Sequence, residues 1–94
     1  VTVNNVALTQ KMTPTLARIA GADNIITTDL ITGAEDFSYY ALETPGLFYF
    51  LGVTPKDQNA KTAPSNHSPQ FYVDESALQL GVESLSQLVV DYLQ

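Results

Sequence analysis

Along the first quarter of the chain the apolar positions follow a helical period. Leu8, Met12, Leu16, Ile19 and Ala20 fall on one face behind Asn4 and Asn5, two good N-cap residues, and Gly21 stands where a C′ glycine would end the helix. This stripe reads as core packing. Pro14 lies inside the pattern and predicts a kink, or a restart with Thr13 as a second cap. Ahead of the helix, Val1-Thr2-Val3 reads as the end of a strand already in progress. The chain opens on Val rather than Met, so a piece of a longer protein is expected.

The pattern then turns β-like. Ile25-Ile26-Thr27-Thr28-Asp29-Leu30-Ile31 is rich in β-branched residues and predicts a strand broken by Gly33. Residues Glu35 to Leu42 predict a short helix with two acids in its first turn, ended by Pro45-Gly46. Leu47-Phe48-Tyr49-Phe50-Leu51 is continuously apolar, as expected of a strand covered on both faces. A strand, a short helix and a second strand predict a parallel, right-handed βαβ unit. Thr54 to Asn66 is polar, carries Pro55 and Pro64, and reads as a loop. Asp74 then caps a helix whose Leu78, Val82, Leu85, Leu88, Val89 and Tyr92 mark a broad apolar face.

The expected fold is therefore α/β, a short parallel βαβ unit flanked by N- and C-terminal helices and forming part of a larger α/β/α sandwich. Two strands are too few for an independent sheet. A bare 47–51 strand would be an aggregation site. Residues 1–94 thus read as an incomplete domain, to be completed by the rest of a longer chain or by another subunit.

Composition narrows the partners. The apolar fraction of 45% is that of a globular chain. Ten acids against four bases give a net charge of −6. Lys11, Arg18, Lys56 and Lys61 are scattered, which argues against nucleic acid and anionic membrane surfaces. No apolar run approaches the roughly 20 residues that span a bilayer. With no cysteine, thiolate and disulfide chemistry are excluded. An acidic chain without cysteine or signal peptide fits the cytoplasm.

Two segments carry candidate chemistry. Asn66-His67-Ser68-Pro69 is a compact polar turn after the long loop, and His67 is the only histidine. It is the one side chain suited to metal or proton chemistry near neutral pH, although a lone loop histidine is most often simply solvated. Gly33-Ala34-Glu35 opens the short helix. Its free N–H groups could hold an anion such as a substrate carboxylate, although a hinge glycine followed by helix-start acids accounts for the same residues. Each segment follows a predicted strand, so both are expected at one end of the sheet, facing one cleft.

Taken together, Gly-Ala-Glu-Asp-Phe-Ser at 33–38, Pro-Gly-Leu-Phe-Tyr-Phe-Leu-Gly at 45–52, His-Ser-Pro-Gln-Phe at 67–71 and Asp-Glu-Ser-Ala-Leu-Gln-Leu-Gly at 74–81 resemble a known family. It is the C-terminal part of zinc-dependent amidohydrolases of the hippurate hydrolase and auxin-conjugate hydrolase type. Aminoacylases, acetylornithine deacetylase and related co-catalytic metallopeptidases belong to the same wider group. The resemblance covers essentially the whole chain, and Val-Thr-Val-Asn-Asn looks like the return from that family's inserted lid domain. It implies hydrolysis of the amide bond of an N-acyl amino acid or peptide conjugate at a two-metal site, with His67 as a metal ligand. It also implies that Gly33, Ala34 and Glu35 border the substrate cleft. No catalytic base is assigned. The family's base lies in an earlier acidic pair, which is absent here, as are the other metal ligands and the lid domain that mediates dimerisation.

A catalytic zinc takes about three protein ligands. One His, no Cys and carboxylates without ligand spacing cannot supply them, so the chain is expected to be inactive alone. Two other readings stay open. One is a stand-alone homodimer that covers the 47–51 strand, and the other is a small anion-binding protein using the Gly33 turn.

Overall fold

The computed structural model describes all 94 residues. Its regular elements are helix α1 (Val6–Ala20), a 3₁₀ turn (Ala22–Asn24), helix α2 (Phe37–Glu43) and helix α3 (Ser76–Leu93). No helix is long and apolar enough to cross a membrane.

The expected α/β fold with a parallel βαβ unit is not formed: the chain has three α-helices and no β-strand. The reason lies in hydrogen bonding. A strand exists only when another strand takes its backbone groups, and no backbone–backbone hydrogen bond involves residues 26–34 or 47–52. Segments 25–31 and 47–51 have strand-favouring composition, but the pairing that would make them strands is missing.

Segment 47–52 nevertheless keeps the two-sided habit of a strand. Tyr49 reaches α3, where its hydroxyl lies 3.0 Å from Ser84 Oγ. A Cβ at Gly81 of α3 would stand 2.9 Å from Leu51 Cδ2, so the two elements meet where α3 has no side chain. The alternate residues face elsewhere: Phe48 packs on Phe37 of α2 at 5.5 Å between ring centroids and edge-on to Phe50 at 5.3 Å. One neighbour is mimicked by a side chain. The Asn4 amide donates to Phe48 O at 2.8 Å and its Oδ1 accepts Phe48 N–H at 2.7 Å, much as a peptide group of an adjacent strand would.

α1 begins as expected, with Asn5 Oδ1 accepting Leu8 N–H at 2.9 Å. It ends at Gly21, whose φ of 88° lies in the left-handed region that a side chain resists. Pro14 neither breaks nor restarts it, because the helix runs unbroken from Val6 to Ala20. Thr13 does not cap; its hydroxyl donates back to Thr9 O at 2.7 Å. α2 starts at Phe37, so Glu35 and Asp36 precede its first turn rather than occupy it.

α1 packs on α3. Met12 is the most buried apolar residue, at 3% exposure, and the stripe around it is half-buried as expected. Beside it sits a polar clasp. Asp91 of α3 accepts from Thr15 Oγ1 at 2.6 Å, Gln87 Nε2 at 2.7 Å and Arg18 Nη2 at 2.6 Å. These bonds, led by Thr15 and then Gln87, hold the Asp91 carboxyl below the usual carboxylate range.

The apolar face of α3 is only partly where its pattern suggested. Leu88 is half-buried, whereas Leu78, Val82, Leu85 and Val89 are exposed, and the partly exposed Tyr92 ring lies 4.8 Å from Lys11 Nζ of α1. The inner surface is formed instead through Leu80, Gly81, Ser84 and Asp91.

Two measures express this openness. The accessible surface is 7805 Å², against about 5,300 Å² for a compact monomer of this mass. The radius of gyration is 14.3 Å, against about 12 Å for a compact chain of this length. The extents of 38 × 29 × 19 Å describe a thin slab. α3 covers the Tyr49 and Leu51 side of segment 47–52; on the other side α2 meets Phe48, and Phe50 is exposed.

Candidate functional site

His67 lies on the long loop between segment 47–52 and α3. The loop is closed at its base by Asp74 N–H donating to Val53 O at 2.8 Å. Asp74 also starts α3: its Oδ1 accepts Ser76 N–H at 3.0 Å and its carbonyl accepts Ala77 N–H at 3.0 Å. The hydrogen bonds from the Ser76 side chain and backbone, aided by the nearby Lys56 charge, pull the Asp74 carboxyl below its ordinary range.

Within the loop, two consecutive turns fix His67. Ser68 N–H donates to Ser65 O at 2.9 Å, which places His67 third in the first turn. Phe71 N–H then donates to Ser68 O at 3.0 Å, with Pro69 in the second position, where its locked φ suits the turn. Ser68 Oγ accepts Gln70 N–H at 3.1 Å, the usual work of a turn serine. The residues of His-Ser-Pro-Gln-Phe thus lie on two consecutive hydrogen-bonded turns. The imidazole on it is exposed and makes no hydrogen bond within the chain.

Gly33, Ala34 and Glu35 are exposed in the irregular stretch before α2. Glu35 Oε1 accepts Phe37 N–H at 3.0 Å, and its carbonyl accepts Ser38 N–H at 3.1 Å. No hydrogen bond or ion pair joins this stretch to His67.

The donor chemistry within the chain can then be tested against a metal. No three His, Asp or Glu side chains come together as a group that could hold an ion. One exposed imidazole is a single ligand, not a catalytic metal site of about three protein ligands. The 94 residues by themselves do not fit such a centre, and no catalytic step is assigned to them alone.

The Asn4–Phe48 pairing and the Asp91 clasp were not foreseen from the sequence. Both depend on residues far apart in the chain, and neither leaves a local signal.

Comparison with known proteins gives the class, a family of metal-dependent hydrolases. The family model for peptidase family M20/M25/M40 matches residues 1–91, and the chain belongs to that family. It is 35% identical to "Thermostable carboxypeptidase 2" of Saccharolobus solfataricus over 92 residues, which is 98% of this chain and 22% of that protein. It is 34% identical to an "IAA-amino acid hydrolase" of Arabidopsis thaliana, covering 98% of this chain and 20% of the relative. It is 29% identical to a "Putative amidohydrolase" of Bacillus subtilis, covering 98% of this chain and 23% of the relative. The chain therefore spans about a fifth of the length of the curated relatives it matches. No solved structure matches it.

Proposed function

We propose that this chain is a C-terminal segment of the catalytic domain of a metal-dependent amidohydrolase. The substrate would be the amide bond of an N-acyl amino acid or a peptide conjugate, and the metal would be zinc. In this reading His67 contributes one imidazole to a metal site whose other ligands come from the rest of the parent chain. Gly33, Ala34 and Glu35 line the substrate side of the cleft. The segment alone does not turn over substrate, and the complete protein is a homo-oligomer.

The observation that carries the reading is His67 itself. Two turns fix the backbone around His67, and its exposed imidazole has no hydrogen-bond partner inside the chain. A fixed backbone position with a free imidazole suits a ligand whose metal lies outside the segment. Family membership supports the hydrolytic class, and the names of the curated relatives support acyl amino acids and peptides as substrates.

The test uses the purified chain and zinc. Titration calorimetry should show no binding tighter than the weak affinity of one imidazole, and N-acyl amino acid hydrolysis should be absent. Hydrolysis by the purified chain that disappears in His67→Ala would overturn the reading.

A further inference from the structure

We infer that the outer face of α3 is a self-association seam, on which a second copy of this chain packs its own α3 in antiparallel register. The inference goes beyond the hydrolase reading and does not depend on it, because the candidate site uses none of these residues.

Three observations carry it. The first is spacing. Leu78, Val82, Leu85, Val89 and Tyr92 recur at intervals of four, three, four and three residues. At 3.6 residues per turn that keeps all five within an arc of about 80°. Their exposure runs from 53% at Leu78 to 69% at Val82, so the stripe is an outward ridge along the helix. A ridge of this period fits the groove of another helix rather than a small molecule, which needs a concave site.

The second is self-complementarity. The stripe reads Leu, Val, Leu, Val. Turned antiparallel about an axis level with Glu83 and Ser84, Leu78 meets Val89 of the other copy, and Val82 meets its Leu85. Each layer then sets one large side chain against one small one, which lets the layers interdigitate. Packed parallel, the same stripe would stack Leu on Leu and Val on Val.

The third is charge. The chain carries a net −6, yet no charged residue lies on the stripe from Leu78 to Tyr92. Gln79 and Ser86 flank it, and Glu83 falls off it at the helical period. Two acidic copies therefore meet there without repulsion. One position before the stripe, Glu75 would face its own copy in a parallel pair, like charge on like. The antiparallel pair instead brings it level with Tyr92 of the other copy, where Lys11 Nζ lies 4.8 Å from the ring centroid. Helix α3 has no Lys or Arg, which disfavours an anionic lipid surface as the occupant. With Leu93 at its edge the stripe exposes about 600 Å² per copy, or about 1,200 Å² in a pair, at the lower end of specific interfaces.

The test uses the purified 94-residue chain. Sedimentation velocity from about 5 to 500 µM should show monomer passing to dimer with no larger species, as an interface of this size implies. Val82→Glu puts an acid inside the seam and should raise the dissociation constant by more than about tenfold, with the circular dichroism of the monomer unchanged. Phe50→Glu, on the other exposed apolar patch, should leave the dimer as it is. The chain has no native cysteine, so single-cysteine variants report the register. An equimolar mixture of Leu78→Cys and Val89→Cys chains should give more disulfide-linked dimer than either variant alone.

A monomer at the top of the concentration range would overturn the inference and leave the face to a partner of another sequence. Larger species, or a dimer that Phe50→Glu abolishes and Val82→Glu spares, would overturn it too. Stronger linking of Leu78→Cys to itself than to Val89→Cys would mean a parallel pair and would overturn the register.

Discussion

Met12→Ala and Leu85→Ala remove side chains of similar size from the same helix pair and should have very different effects. Met12 is 3% exposed, the one apolar side chain sealed between α1 and α3, whereas Leu85 on the outer face of α3 is 61% exposed. Truncating a buried Met to Ala costs about 2–5 kcal/mol, and least where the neighbours can collapse into the space. Here the layers are thin and the Phe50 side is open, so the low end applies, about 2 kcal/mol. For a chain of this length total stability is at most about 5–14 kcal/mol, and its uncovered surface puts it at the bottom of that range. Met12→Ala therefore removes a large share of what holds the helices together. Leu85→Ala, on a surface already wet, should stay within about 0.5 kcal/mol. Urea unfolding followed by far-UV circular dichroism, at a concentration where the chain is monomeric, measures both. The midpoint should fall by about 1 M for Met12→Ala and barely move for Leu85→Ala. Equal losses would refute the reasoning, since they would mean that the outer stripe of α3 is as buried as the core.

Three further outcomes are expected. Asn5→Ala should lose about 1 kcal/mol by freeing the Leu8 N–H at the start of α1, read as a lower urea midpoint. Asp74 and Asp91 both have lowered folded pKa values. Their contribution is therefore complete above the ordinary value of 3.8 and is lost as pH falls below it through the folded values, so thermal midpoints should hold from pH 7 to about 5 and drop below about 4. Asp91→Asn should flatten part of that drop. His67→Ala should leave the stability of the chain unchanged within about 0.5 kcal/mol, because the exposed imidazole bonds to nothing in it.

What was legible in the sequence follows the range of the interactions involved. α1 could be read nearly to the residue because its limits are local: Asn5 accepts a bond from three residues on, and Gly21 takes a φ that few other residues tolerate. Asp74 at the head of α3 and the turn chemistry around Ser68-Pro69 were legible for the same reason. Residues 25–31 and 47–51 have strand composition, and 47–51 even has strand-like alternation of contacts, yet neither is a strand, because a strand is defined by a partner that composition does not supply. The apolar stripe of α3 misled in a related way. Period alone finds the stripe, but Gly81 and Ser84 chose the inner face by allowing Leu51 and Tyr49 to come close. Of the candidate site, the loop and its histidine were readable. No group of three His, Asp or Glu side chains that could hold an ion forms within the chain.

The central claim is that these 94 residues work only as part of a larger metallohydrolase, and the native size of the protein tests it most directly. An antibody raised against this chain, used on extracts of the source cells, should detect a band several times larger than 10.2 kDa. Metal analysis of that purified protein should then show zinc that His67→Ala reduces. A single band at 10.2 kDa would contradict the account, and the chain would have to cover its open face with a second copy of itself.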